Sequence, residues 1–157
     1  MSKHDDLIIK IYKHPFWENK ILNKTPNIKY DIEHILEFPI IKGEGSFKTI
    51  IGYIDYVIKV YEVKVNERRD KSHYETLKFI CQINIEVKTT EEPLGDVIRQ
   101  IKRYIEFLYV DDDIYDDGQR RVQGVRSFFL VGNCMEKYAT VLKDQHITFI
   151  KEEVFEE

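Results

Sequence analysis

The sequence predicts an α/β fold, a central mixed β-sheet flanked by helices, with the elements in the order helix, three strands, helix, strand. Three observations predict it. Long runs of β-branched and aromatic residues fill the first half of the chain, a run at helical spacing follows at 93–108, and a short apolar run stands at 125–132. At 157 residues, 43% hydrophobic and 13% aromatic, the chain holds enough apolar mass for one sizeable core, and a single domain over 1–157 is expected.

The first element is "DDLIIKIYKHPFWENKIL" (5–22). Ile8, Ile11, Glu18 and Leu22 fall along one helical stripe, and Pro15 bends or splits the helix. On that reading Glu18 faces inward. "HILEFPII" (34–41) and "TIIGYIDYVIKVYEVKV" (49–65) read as strands, and "HYETLKFICQINIEVK" (73–88) pairs with the second of them as a long hairpin around a basic loop at 66–73. "PLGDVIRQIKRYIEFL" (93–108) places Leu94, Val97, Ile98, Ile101, Ile105 and Leu108 at helical spacing, with Pro93 suited to the first turn. An acidic loop at 111–118 separates this helix from the strand "VRSFFLVG" (125–132). "CMEKYATVLKDQ" then reads as helix and "HITFI" as extended chain.

Charge and composition exclude several functions. Lys and Arg number 24 against 28 Asp and Glu, so no global field draws in nucleic acid and any polyanion site is local. The N-terminus lacks a signal-peptide core, and no run of about 18 uncharged apolar residues is present. A cytoplasmic protein without a membrane span is expected. Cys81 and Cys134 stand far apart with no His or Cys at zinc spacing, which favours two buried free thiols. "DDDIYDDG" is no EF-hand: Tyr115 occupies a ligand position, and Gly124 stands where the bidentate glutamate belongs. His14, His34, His73 and His146 show neither metal nor triad spacing, and no Gly-rich phosphate loop exists.

The chemistry concentrates on two strands. Alternation along 81–88 puts Cys81, Ile83, Ile85 and Val87 on one face and Gln82, Asn84, Glu86 and Lys88 on the other. An antiparallel strand with one wet face has the same pattern. Asp55 is more pointed. It is the one charge in "IIGYIDYVI", and a buried carboxylate without a partner costs several kcal/mol. A neighbouring strand presenting Glu86 and Lys88 supplies a shared cation site, the lysine, or both.

"GYID", a hairpin, "IEVK" and a helix carrying "QIKRY" together resemble the PD-(D/E)xK, or restriction-endonuclease-like, nuclease superfamily with the Gln-x-x-x-Tyr helix of its RecB-type branch. The resemblance spans roughly residues 30–132, with Ile54 where the superfamily's proline stands. It implies a metal-dependent deoxyribonuclease acting on DNA, with Mg2+ or Mn2+ as cofactor, and a homodimer as a common assembly. The alternative is an inactive nucleic-acid-binding or assembly module on the same fold.

By resemblance Asp55 and Glu86 are metal ligands, joined by the carbonyl of Val87, and Lys88 orients the attacking water. Magnesium's preference for oxygen ligands and retained waters suits such a partial cage. Gln100 and Tyr104, at i and i+4, support the active site or touch DNA. An acidic residue of the first helix often completes such a site. Glu18 is the first candidate and Glu37 the rival. Arg68, Arg69 and Lys71 on the hairpin, Arg99, Lys102 and Arg103 on the helix, and Arg120, Arg121 and Arg126 beyond it are candidate phosphate contacts around the site.

Overall fold

A computed structural model describes residues 2–21, 28–43, 45–108, 115–116, 120–121 and 125–156. Helix α1 spans Lys3–Ile11, its N-terminus capped by the Ser2 hydroxyl, which accepts the Asp5 N–H at 3.1 Å. The helix predicted over 5–22 is two pieces. Lys13 turns left-handed at φ 58, helix resumes at Pro15, and a π-helical turn covers Trp17–Ile21. The Tyr56 hydroxyl accepts the Lys13 N–H at 3.1 Å, so the sheet itself pins this break. Trp17, 1% exposed, donates its indole N–H to the Ile11 carbonyl at 2.9 Å and ties the two pieces together. Leu22 lies outside the described residues.

Strands β1 (Tyr30–Lys42), β2 (Thr49–Glu67) and β3 (His73–Val87) form an antiparallel meander. Helix α2 (Leu94–Phe107), with Pro93 at its N-cap, leads on toward a two-residue ladder of β4 (Tyr115–Asp116) and β5 (Arg120–Arg121). Then β6 (Val125–Val131) lies parallel to β3, and after a 3-10 turn (Asn133–Tyr138) and α3 (Ala139–Asp144), β7 (Ile147–Ile150) lies parallel to β6. The result is a five-stranded mixed open sheet, order β1-β2-β3-β6-β7. The acidic segment 111–118 lies outside the described residues apart from the β4 backbone, and so do the side chains of Arg120, Arg121 and Arg126.

Helices cover both faces. Val97, Ile101 and Tyr104 of α2 and Leu142 of α3 pack on Ile54, Val57, Phe128 and Leu130. On the opposite face Leu7 and Ile11 of α1, with Trp17 and Phe155, pack on Tyr56, Ile58, Ile83, Ile85 and Val87. Burying each such aliphatic side chain contributes roughly 1.5–3 kcal/mol, which is why α2, with its apolar stripe, takes the sheet as its partner.

One alternative left open by the sequence is decided here, and one expectation is corrected. The Gln82–Asn84–Glu86 face is not wet: these residues are 0%, 0% and 3% exposed. Gln82 donates to Asn84 at 2.8 Å and Asn84 donates to the Ser127 carbonyl at 3.2 Å, so the polar column is hydrogen-bonded inside the protein instead of solvated. The two cysteines are free thiols but half-buried, not buried.

Strict alternation also breaks at one level of the sheet. On β2, Ile54 and Val57 both face α2 while Tyr56 and Ile58 face α1. On β1, Ile32 lies on the α1 side, whereas Ile35, Phe38 and Ile40 lie on the α2 side. Both strands therefore slip phase together, at Leu36–Glu37 and Asp55–Tyr56, keeping their mutual register, and Glu37 takes a left-handed φ of 53 to do so.

Candidate active site

The β2–β3 ladder runs from Glu67 opposite His73 to Tyr56 opposite Ile85, and there it stops. The next two residues in register are Asp55 and Glu86. Beyond this point β3 stays with β6, the Lys88 N–H donating to the Val131 carbonyl at 2.9 Å. Carboxylates take over where the backbone pairing ends. Glu86 Oε1 accepts the Asp55 N–H at 3.2 Å, and Asp55 Oδ2 accepts the Val87 N–H at 2.8 Å. Each acid satisfies a backbone donor that the separating strands would leave unpaired. In extended chain the N–H and C=O of one residue project toward the same edge, so the Val87 carbonyl faces this gap as well.

Charge at the gap is unbalanced. Burial, then the neighbouring Asp55 charge, pushes the Glu86 carboxyl up to about 8, against the pull of Lys88. Burial also raises Asp55, opposed by the Val87 N–H, by His4 and by Lys88. Two adjoining carboxylates held above their usual range, with a carbonyl beside them, are a donor set that a hard divalent cation fits.

Lys88 is held from α2. Its ammonium donates to Gln100 Oε1 at 3.0 Å and contacts Glu92 Oε2 at 2.9 Å, with 11% of the side chain exposed. Gln100 donates in turn to the Tyr104 hydroxyl at 3.0 Å. Tyr104 rests against Gly52, where a Cβ would stand 2.6 Å from the Tyr104 ring and hydroxyl. The glycine of "GYID" thus makes room for the tyrosine of "QIKRY", one motif seating the other. On the far side Gly132, at φ 153, lies so close to the Lys88 carbonyl that a Cβ there would be 1.9 Å from the oxygen. The Cys134 thiol donates to the same carbonyl at 3.3 Å.

The structure brings Asp55, Glu86, Val87, Lys88 and Gln100 together, and it separates other candidates from them. Tyr104 is 7% exposed and belongs to the core, where its hydroxyl props Gln100. Glu18 is half-buried beside His34 and Tyr56, on whose protonation its charge acts, and does not join the carboxylate pair. Glu37 is exposed at the register position opposite Asp55. Among the described residues no three His, Cys, Asp or Glu side chains group as metal ligands, so a cation at the gap would have two carboxylates and a carbonyl to draw on from the chain.

Arg68, Arg69 and Lys71 are exposed at the hairpin tip. Asp55 and Arg68 stand 13 positions apart, about 43 Å of extended chain, which removes these cations from the site's surroundings. Lys102 and Arg103 are exposed on α2, and Arg99 is exposed and paired with Asp96. The residue no sequence pattern singles out is His4. From the first turn of α1 its Nε2 lies 3.4 Å from Asp55 Oδ2, a contact made by tertiary packing and carried by no motif.

No protein-family model, curated protein or solved structure matches the chain. Among the described residues no helix is long and apolar enough to cross a membrane.

Proposed function

We propose that the chain is a metal-dependent deoxyribonuclease with a restriction-endonuclease-like core, hydrolysing phosphodiester bonds of duplex DNA. One observation carries the reading: Asp55 and Glu86 meet where β2 and β3 part, with the Lys88 ammonium held by Gln100 of the following helix. The meander, the helix after β3 and the parallel strand β6 are in the chain order that the superfamily resemblance implies.

Asp55, Glu86 and the Val87 carbonyl would hold Mg2+ or Mn2+, which supplies charge neutralisation at the phosphoryl oxygens and acidifies a water. The chain does the rest. Burial of Glu86 removes competing water, and its backbone hydrogen bond fixes the carboxylate before a cation arrives. Lys88 presents N–H donors toward the phosphate and attacking water, at a position set by Gln100 and Tyr104. A donor of this kind is worth about 10²- to 10³-fold in rate, so its placement matters as much as its charge.

The test is incubation of the pure protein with linear and plasmid duplex DNA, with Mg2+ and with excess chelator. Cleavage that needs the cation and disappears in Glu86→Gln is the expected result. Binding without cleavage in either condition replaces the enzyme by the inactive binding module.

A further inference from the structure

The β1–β2 pairing ends at Tyr30 opposite Glu62, yet β2 and β3 go on pairing with each other from Val63 opposite Leu77 to Glu67 opposite His73. This overhang is a two-stranded ribbon of five residue pairs running past the end of the β1 ladder, its root tied to the chain before β1 by the Val63 N–H donating to the Lys29 carbonyl at 2.9 Å and by Lys29 Nζ at 3.7 Å from Glu75 Oε1. Its two faces differ sharply. Directly opposed residues share a face, so one face carries Tyr61 edge-on to Phe79 at 5.7 Å, then Val63 beside Leu77, then Val65 beside Glu75. That apolar spine stiffens the ribbon.

The other face pairs Glu62 with Lys78, Lys64 with Thr76 and Asn66 with Tyr74, and the Arg68 guanidinium lies over the Tyr74 ring at 5.0 Å. Asn66 donates to Thr76 at 3.0 Å, and Glu62 is paired with Lys64 at 3.1 Å. Three cations stand here against one carboxylate, on a chain whose net charge is −4. The tip is built, not loose: Arg68 N–H donates to the Ser72 carbonyl at 2.8 Å, Lys71 N–H to the Arg68 carbonyl at 3.0 Å, and Asp70 accepts both the N–H and the hydroxyl of Ser72. The one carboxylate of the tip is thereby engaged, while Arg68, Arg69 and Lys71 remain exposed.

We propose that this face, Lys64, Asn66, Arg68, Tyr74, Thr76 and Lys78, is a second duplex-DNA contact, held away from the carboxylate pair by the length of the ribbon. The inference rests on the nuclease reading of the site and adds to it where the substrate lies. A two-stranded ribbon fits the major groove of duplex DNA, about 12 Å wide, and a polar face with aromatic and cationic side chains suits phosphate and sugar contacts more than base selection. Lys64 and Arg68 stand 9 and 13 positions from Asp55. At about 3.3 Å per residue these are roughly 30 and 43 Å. With roughly 3.4 Å per base pair along the duplex, contact with both regions needs roughly 9–13 base pairs.

The experiment uses the full chain carrying Glu86→Gln, which prevents turnover, and measures binding to duplexes of graded length at several salt concentrations in Ca2+. The same measurements are made with Lys64→Gln, Arg68→Gln and Lys78→Gln added. Affinity should climb steeply as duplex length passes about 9–13 base pairs. The added substitutions should remove that climb, weaken long-duplex binding about tenfold or more and flatten the log–log salt slope by about 2–3, at roughly 0.9 per lost phosphate contact. Binding to duplexes of about 8 base pairs should stay as it was, since these cannot span the distance. Long-duplex affinity and salt slope unchanged by the three substitutions would overturn the proposal, as would an equal loss at every length. Absence of any DNA binding together with absence of cleavage by the unsubstituted chain overturns the nuclease reading itself, a distinct result.

Discussion

Glu86 shows how one side chain can serve a site and burden a fold. Its carboxyl, pushed up to about 8 from an ordinary 4.5, keeps in the folded chain a proton that the unfolded chain has already released. Between those values the folded state binds more protons, so stability without a cation falls as pH rises, by up to about 1.4 kcal/mol per pH unit, and levels off above the folded value. Asp55, also raised, acts with the same sign. Thermal melts in chelator should therefore show a lower melting temperature at pH 8 than at pH 5. Glu86→Gln should flatten that dependence and raise stability at pH 8 while abolishing cleavage. A melting profile unchanged by the substitution would mean that Glu86 is not held protonated. Gln100 acts through Lys88, so Gln100→Ala should lower kcat by about 10- to 100-fold with little change in KM, because a hydrogen bond that places the lysine is lost while DNA contacts remain. An equal loss in KM alone would make Gln100 a DNA contact.

At the scale of elements, the sequence disclosed strands and helix α2 because each buries a regular stripe: Ile83, Ile85 and Val87 alternate, and Val97, Ile101 and Leu108 recur at helical spacing, although the buried seam passes through Tyr104 and leaves Ile105 of the expected stripe 42% exposed. It disclosed the residues that gather at the β2–β3 gap because "GYID", "IEVK" and "QIKRY" are short segments, each recognisable by itself. It concealed what depends on two distant segments at once. The paired phase slip at Glu37 and Asp55 leaves no mark in either strand's pattern, and the break of α1 at Lys13 is held by Tyr56 of β2. Burial of Gln82 and Asn84 was equally hidden, since a polar column under a helix and a wet face read alike. Gly52 is the point where two elements must fit. Gly52→Ala puts a methyl into the Tyr104 ring, and displacement of that buried ring should cost about 1–3 kcal/mol in denaturant melts and lower activity together. Tyr104→Phe, which keeps the ring and drops only the hydroxyl that accepts from Gln100, should leave stability within about 1 kcal/mol and lower activity alone. If both variants cleave DNA as the parent does, the α2 prop has no part in placing Lys88.

Across the whole molecule, the carboxylate gap joins every layer: His4 comes from α1, Asp55 from β2, Glu86 and Val87 from β3, and Lys88 is held by α2 and, through its backbone, by β6 and the turn at Gly132. A cation held there, as proposed, would stabilise the assembled sheet and have no counterpart in the unfolded chain, where these residues are scattered. Linkage then requires the melting temperature to rise with divalent concentration, by a free energy of about 2.7 kcal/mol at a hundredfold excess over the dissociation constant. The gain belongs to the pair, since either carboxylate alone offers too few oxygens to hold the ion against water. Asp55→Asn and Glu86→Gln should each remove most of the Mg2+-dependent rise while leaving the chain folded, and the double variant should lose no more than the weaker single one. Glu18→Gln, placed beside His34 and Tyr56, should keep the full rise. Differential melting of these four variants and the parent across a Mg2+ or Mn2+ series separates the outcomes. An undiminished rise in Glu86→Gln would place the cation elsewhere on the molecule, and a lost rise in Glu18→Gln would return that residue to the metal site.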